Sequence, residues 1–276
     1  MDYGYNAAAN RPRSPLRGPA AVRDRHRTDG PLACPDQRID LTAVVAERDL
    51  VAVRLTCTGT HNGRSLLGAE PSGKAIRYEG LVICRVKDGR IFEQWGGFDS
   101  LGLAQQLGLA RAGTWPAPSV LPTRGSPEGG SPAGTPREVV RGYWEATFND
   151  RSFGSLEEVV GPAFVDHCYG AVDRPEERGA DGLRIAEESF LGVFPDCRVR
   201  VDELFAADDL VCARLSSRGT HRGEWLGTAP TGRTFSYEGT FIWRLRGGKL
   251  TDRWGGFDRL WMARQVGAVD RGVESL

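Results

Sequence analysis

PSGKAIRYEGLVICRVKDGRIFEQWGGFD, residues 71–99, lies without a gap over PTGRTFSYEGTFIWRLRGGKLTDRWGGFD, residues 230–258. Both stretches close on the pentapeptide WGGFD, at Trp95–Asp99 and Trp254–Asp258. A chance repeat of this kind in 276 residues is implausible, so a structural unit is duplicated. Upstream, GTH at Gly59–His61 matches GTH at Gly219–His221, and Pro35–Leu55 matches Pro195–Leu215. The repeat spans Pro35–Leu109 and Pro195–Ala268, with one extra residue in HNGRSLLGAEP against HRGEWLGTAP.

Inside the repeat the residues alternate. Phe235, Tyr237, Gly239, Phe241, Trp243 and Leu245 share one face of a strand; Thr234, Ser236, Glu238, Thr240, Ile242 and Arg244 share the other. Val211, Ala213, Leu215, Ser217, Gly219 and His221 form the apolar face of the preceding strand. The first copy keeps the pattern through Ile76, Tyr78, Gly80, Val82, Cys84 and Val86. A sheet with one apolar, aromatic face is expected.

What precedes the two copies differs. Before the second come helical signals: a capping box at Thr135-Pro-Arg-Glu138, then Val139, Val140, Tyr143, Trp144 and Phe148 at helical spacing. A second capping box is expected at Ser155–Glu158, with Gly161-Pro162 ending that helix, then a strand at Ala163–Tyr169. Leu183, Ile185, Ala186, Phe190 and Val193 mark a third helix that ends at Pro195. Helices followed by long antiparallel strands give an α+β fold. The expected organisation is an Arg/Pro-rich disordered segment at 1–34, a partial domain at 35–112, a Pro/Gly/Ser linker at 113–134 and a complete domain at 135–276.

The totals exclude several functions. Lys+Arg and Asp+Glu balance at 36 each, so no global basic field exists to hold nucleic acid. No apolar run is long enough to span a membrane, and no secretory signal is legible. The six cysteines, Cys34, Cys57, Cys84, Cys168, Cys197 and Cys212, show no zinc spacing and fall at non-equivalent places in the two copies. Reduced thiols in a cytoplasmic protein are expected.

Phe194-Pro-Asp196, GTHRG, Ala229-Pro-Thr-Gly-Arg233, YEG, GGKL and a tryptophan four residues before an aspartate and a helix together resemble the SnoaL-like polyketide cyclases of the nuclear-transport-factor-2-like superfamily. The resemblance covers 135–268 in full and 35–109 as the strand-rich back half. It implies a cone-shaped, curved antiparallel sheet with helices closing a pocket, and often a dimer through the sheet. It also implies intramolecular aldol ring closure on polyketide substrates with no metal and no cofactor. An aspartate late in the last long strand serves there as acid/base, assisted by a histidine on the preceding strand. In this chain those positions hold Gly255 and Phe241, and Gly96 and Val82 in the first copy. The acid/base groups of the family are therefore missing at both places.

Other residues are candidates for that work. His221, on the apolar face at a strand end, has an imidazole that titrates near neutrality; a merely hydrogen-bonded histidine is the competing reading. Asp166 and His167 are neighbours on a strand, so only one of them faces the interior. Tyr237 faces inward and can donate to a substrate oxygen; Arg253 shares the parity of Gly255 and is a candidate to bind a substrate carboxylate or enolate, a rim charge being the competing reading. Phe241, Trp243, Trp144 and Phe257 are candidate walls for substrate, with Gly255 and Asp258 beside them. Asp258 and Asp99 read first as helix N-caps. The glycine pair of WGGFD signals a bulge or a close backbone approach, or a pocket widened by loss of an acid.

Three functions follow as expectations. One is a SnoaL-like cyclase or isomerase closing a ring on a hydrophobic, polyketide-like substrate in bacterial natural-product biosynthesis. A second is a small-molecule-binding module without catalysis, which the missing acid/base groups allow. A third is a hydratase or hydroxylase-like member of the superfamily. The partial copy, lacking helices over its aromatic face, is expected to pack its sheet on that of the complete domain as an intramolecular pseudo-dimer, or to join a homodimer.

Overall fold

The computed structural model describes residues 2–3, 16–20, 30–111, 134–168 and 178–269. Most of the Arg/Pro-rich opening and the linker residues 113–133 lie outside the described residues. The chain forms two compact units, Met1–Ala112 together with Gly256–Leu276, and Gly113–Gly255.

The first unit opens with a two-residue pairing of β1 (Asp2–Tyr3) with β2 (Leu16–Arg17) and a helical turn, α1 (Gly30–Ala33). Four antiparallel strands follow, β3 (Arg38–Glu47), β4 (Leu50–Thr60), β5 (Ala75–Lys87) and β6 (Arg90–Phe98), ordered as in the sequence. Then comes helix α2 (Ser100–Leu107).

The second unit starts with α3 (Pro136–Trp144), whose capping box forms in both directions between Thr135 and Glu138. The helix then widens into a π-helical stretch, Glu145–Asn149. Next are α4 (Leu156–Val159), β7 (Val160–Cys168) and α5 (Gly179–Val193). The strands β8 (Arg198–Ala207), β9 (Leu210–Thr220), β10 (Thr234–Arg246) and β11 (Lys249–Phe257) complete it. Their order is β7-β11-β10-β9-β8. The last helix, α6 (Arg259–Val266), belongs to the first unit.

This is the expected α+β architecture, with particular differences. Ser155 makes no cap hydrogen bond, because its own backbone is already helical (φ −79°, ψ −7°) and a capping side chain needs an extended residue. The strand begins at Val160, so Gly161-Pro162 lie inside it. It pairs with β11 in parallel, whereas every other pairing within the two main sheets for which a register is given is antiparallel. The duplicated structure also starts before Pro35. Gly63 N donates to Ala33 O at 2.9 Å, as Gly223 N donates to Val193 O at 3.1 Å. The α1 turn is thus the counterpart of the end of α5.

The alternation of β9 and β10 holds except at Cys212, Thr240 and Ile242, which fall on the polar face and are buried too. Phe235, Tyr237, Phe241, Trp243 and Leu245 are buried on one face, and Arg214 pairs across strands with Glu238 on the other. In the second unit α3 packs on β8, and Asn149 clamps the Val199 backbone through 2.9 and 3.1 Å hydrogen bonds. Their counterparts on β3, Ile39, Leu41 and Val44, stay 56%, 65% and 58% exposed; among the described residues no helix plays the α3 role there.

WGGFD ends a strand and caps a helix in both repeats. Asp99 accepts from Gly102 N at 3.1 Å, and Asp258 accepts from Trp261 N at 2.9 Å. Within the first unit the caps are also exchanged: Arg259 donates to Asp99 at 2.8 Å and Ser100 donates to Asp258 at 2.5 Å. The reciprocal pattern is that of an isologous contact made by two copies of one motif.

The first glycine of WGGFD has a steric cause. Gly255 has φ +109°, and a Cβ there would lie 2.2 Å from Thr240 O. Gly96 repeats this at φ +145°, with Leu81 O at 2.3 Å. The glycine therefore permits close strand approach and does not widen a pocket. Restoring an acid by Gly255→Asp is expected to cost about 3 kcal/mol or more of stability, read from urea midpoints; an unchanged midpoint would contradict the close approach.

Candidate active site

Four polar side chains meet inside the second unit, each from a different element. Arg253 on β11 and Asp166 on β7 are register partners in the parallel pairing, so they share a face. Tyr143 comes from the last turn of α3 and Glu187 from the middle of α5. The guanidinium grips Asp166 with two hydrogen bonds, Nε to Oδ1 at 3.0 Å and Nη2 to Oδ2. Its Nη1 donates to Tyr143 Oη at 2.8 Å and to Glu187 Oε1. Tyr143 donates to Glu187 Oε1 at 2.5 Å, and Cys168 N donates to Asp166 Oδ1 at 3.0 Å. The side chains of Arg253, Asp166 and Glu187 are 6%, 9% and 6% exposed, so these interactions act in a poorly solvated interior.

Burial by itself would raise the Asp166 pKa, but the charge and hydrogen bonds of Arg253 outweigh it and hold the carboxyl below its ordinary value. Burial would likewise lower the Arg253 pKa, and the surrounding acids, Asp166 first, hold it well above its ordinary value. Burial pushes the Tyr143 hydroxyl well above the usual phenol range, with Arg253 opposing. Arg253 therefore stays charged, Asp166 ionised and Tyr143 protonated near neutrality.

Aromatic rings surround the cluster. Arg253 lies over Trp243 at 5.2 Å, and Tyr143 meets Trp243 edge-on at 4.7 Å. Trp144 packs on Phe241 at 4.8 Å and on Phe148 at 5.3 Å. Trp144, Phe241 and Trp243 are thus brought together in one buried shell.

The other candidates lie elsewhere. Of the neighbours on β7, Asp166 faces in and His167 faces out. His167 stacks on Trp254 at 5.0 Å and meets Asp252 at 3.2 Å. His221 is fully buried at the GTH turn, where its Nδ1 lies 3.1 Å from Thr231 Oγ1 and accepts from Thr231 N at 3.3 Å. The neutral ring consequently carries its proton on Nε2. Burial lowers its pKa, an interaction with the Gly223 backbone opposing. His61 makes the matching contact to Ser72 at 3.1 Å, so both repeats use this histidine to tie the same two loops. Tyr237 is buried, stacked on Phe235 at 5.4 Å, and burial raises its pKa well above the usual range. Gly255 lies against the β10 backbone, opposite Cys168, whose thiol burial holds far above its ordinary pKa. Phe257 and Asp258 belong to the first unit, where Asp258 caps α6.

Comparing the repeats separates scaffold from site. On the outer face Arg244 lies over Trp254 at 4.9 Å and pairs with Asp209 at 3.2 Å; Arg85 lies over Trp95 at 5.6 Å and pairs with Asp49 at 2.7 Å. That arrangement is duplicated. The inner cluster is not: the place of Arg253 is taken by Gln94. Glu187 and Tyr143 escaped the sequence reading because both sit within apolar helical stripes. The available signal was a carboxylate four residues after Leu183 and three before Phe190, on the buried side of α5. Among the described residues no three His, Cys, Asp or Glu side chains are grouped to hold a metal ion, and no helix is long and apolar enough to cross a membrane.

The family model of SnoaL-like polyketide cyclases matches residues 2–107 and 138–266. Among solved structures, IdmH of Streptomyces antibioticus, a candidate polyketide cyclase, is 30% identical over 49% of this chain and 99% of its own, with a TM-score of 0.44. TsrD of Streptomyces laurentii is 26% identical over 48% of this chain and 94% of its own, with a TM-score of 0.42. AclR of Streptomyces galilaeus, a candidate hydroxylase, is 23% identical over 48% of this chain and 95% of its own, with a TM-score of 0.40. None of the curated proteins matches.

Replacing Arg253 by methionine leaves two buried carboxyl groups without their cation. The expected cost is about 3–5 kcal/mol at pH 7. The Asp166 pKa is depressed in the folded chain, so its contribution is present above the unfolded value near ~3.9 and lost as pH falls through the lower folded value. In Arg253→Met, burial acts on Asp166 unopposed and raises its pKa, so the stability deficit should shrink from pH 8 to pH 5. Denaturant melts at both pH values check this; an equal deficit would contradict it.

Proposed function

The chain belongs to the SnoaL-like polyketide cyclase family, and from that premise we propose that it closes a ring within a polyketide-like carbonyl compound in bacterial natural-product biosynthesis, using the interior of the second repeat. The observation that carries the proposal is the buried cluster of Arg253, Asp166, Glu187 and Tyr143. It lies on the face of β11 where relatives keep their acid, two residues before that position, and only the second repeat has its arginine.

The chemistry follows from the hydrogen-bond order. Tyr143 passes its proton to Glu187 as its oxygen takes a proton from a carbon flanked by carbonyl groups. The electron pair left on that carbon forms a bond to a second carbonyl carbon of the same molecule. The oxygen of that carbonyl then takes a proton from Tyr143, resupplied by Glu187. No atom is gained or lost, so the step is an isomerisation. The charge of Arg253 stabilises the phenolate character that Tyr143 develops, and this is worth most in a site shielded from water. Asp166 is a positioning residue that holds the guanidinium in plane. The aromatic shell holds the chain of the substrate folded, and orientation supplies much of the rate in an intramolecular reaction. Each step is a proton transfer or a bond made within the substrate, so the reading calls for no metal or cofactor. His221 is the competing proton carrier.

The test uses the producing organism. A strain lacking the gene is expected to accumulate an uncyclised compound that the purified chain converts to an isomer of equal mass. Tyr143→Phe, which keeps the ring and removes the hydroxyl, should lower that conversion by about 10²-fold or more. Tight binding of the accumulated compound by the wild type with no change in it would instead support a binding module on the same fold.

A further inference from the structure

The interior of the second repeat holds hydrogen-bond donors that the protein does not use. The indole nitrogens of Trp144 and Trp243 are buried and have no hydrogen-bond partner, and neither has the hydroxyl of Thr147. The three residues are 3%, 0% and 0% exposed. Buried polar groups are nearly always paired; of the nine buried side-chain atoms without a partner among the described residues, these three lie on two neighbouring rings and one helical turn beyond. Trp144 and Trp243 are neighbours, their rings meeting edge-on at 5.9 Å, and Trp243 is the ring under Arg253. A second observation points to the same place. The helix loses its α geometry directly after Trp144, in the π-helical stretch that contains Thr147. Such stretches are rare and are frequently found at functional sites.

We propose that Trp144 and Trp243 are carbonyl-binding residues, whose indole N–H groups pair with acceptor oxygens of a planar, conjugated ligand. The inference rests on the proposed function of this interior and adds what it recognises. An indole N–H only donates, so its partner must be an acceptor. The aromatic shell favours a flat, conjugated body. The single guanidinium is already engaged by two carboxyl groups, so no free cation is present among these residues to receive a carboxylate or phosphate. The ligand is therefore a neutral carbonyl compound, and anionic analogues are excluded by the two acids beside Arg253.

Three matched probes test the assignment on the full chain: 9-fluorenone, fluorene, which lacks the carbonyl, and 9-fluorenone-2-carboxylate. Calorimetry should show fluorenone binding about tenfold tighter than either of the others. Trp144→Phe or Trp243→Phe should reduce the fluorenone-to-fluorene affinity ratio by about 5-fold or more, whatever the smaller ring does to the affinity for both probes. The carbonyl stretch of bound fluorenone should lie at lower frequency in the wild type than in the phenylalanine variants, a signature that packing alone does not move. The assignment is overturned if the variants keep the same fluorenone-to-fluorene ratio and the same stretch, as they would if buried water satisfied the donors. It is overturned equally if wild type shows no preference for the carbonyl. Either result, with conversion of the accumulated compound intact, leaves the cyclase reading standing. Loss of conversion in the wild type would remove that reading separately.

Discussion

One guanidinium organises the second repeat. Arg253 reaches a strand partner, Asp166, and two helix residues, Tyr143 and Glu187. A charge buried this deeply is tolerated only if its donors are met, and the acids need it in return. The cluster consequently ties α3, α5, β7 and β11 to one point. Removing Arg253 leaves Asp166 and Glu187 desolvated without their cation, so the contacts that hold the helices also fix the protonation states near the Trp144 and Trp243 rings.

Duplication lets scaffold and site be told apart without relatives. Features present twice answer to folding. Such are the Trp–Arg stack of the outer face, the histidine tying two loops, the aspartate caps and the strained glycine of WGGFD. The pair formed by Thr60 with Asp36, repeated as Thr220 with Asp196, belongs with them. Features present once among the described residues need another reason, and the inner cluster and the π-helical stretch are two of them. The chemistry is thus proposed for groups near Gly255, and not at it. A side chain at Gly255 would collide with the backbone of the neighbouring strand.

Much of this was legible in the sequence. The two-residue period of β9 and β10, the capping box at Thr135 and the aspartate caps are local signals, and local signals decide local structure. The parallel pairing of β7 with β11 was not legible, because strand order depends on how the helices cross the sheet. Tyr143 and Glu187 were hidden for a related reason. Periodicity assigns both to a buried face, and it says nothing of which polar atom each will meet. The contacts that matter join residues 44, 66 and 110 positions apart. The prominent histidines had the opposite fault: their ionisation range attracted attention, yet His167 faces outward and His221 ties loops.

The central claim is that the Tyr143–Glu187 pair, and not His221, moves the proton. The most direct test is the rate of conversion of the accumulated compound by wild type, Glu187→Gln and His221→Asn, the asparagine keeping an acceptor for Thr231 N. The account predicts that His221→Asn retains most of the rate, while Glu187→Gln loses about 10²-fold or more. A rate that collapses in His221→Asn and survives in Glu187→Gln would contradict it.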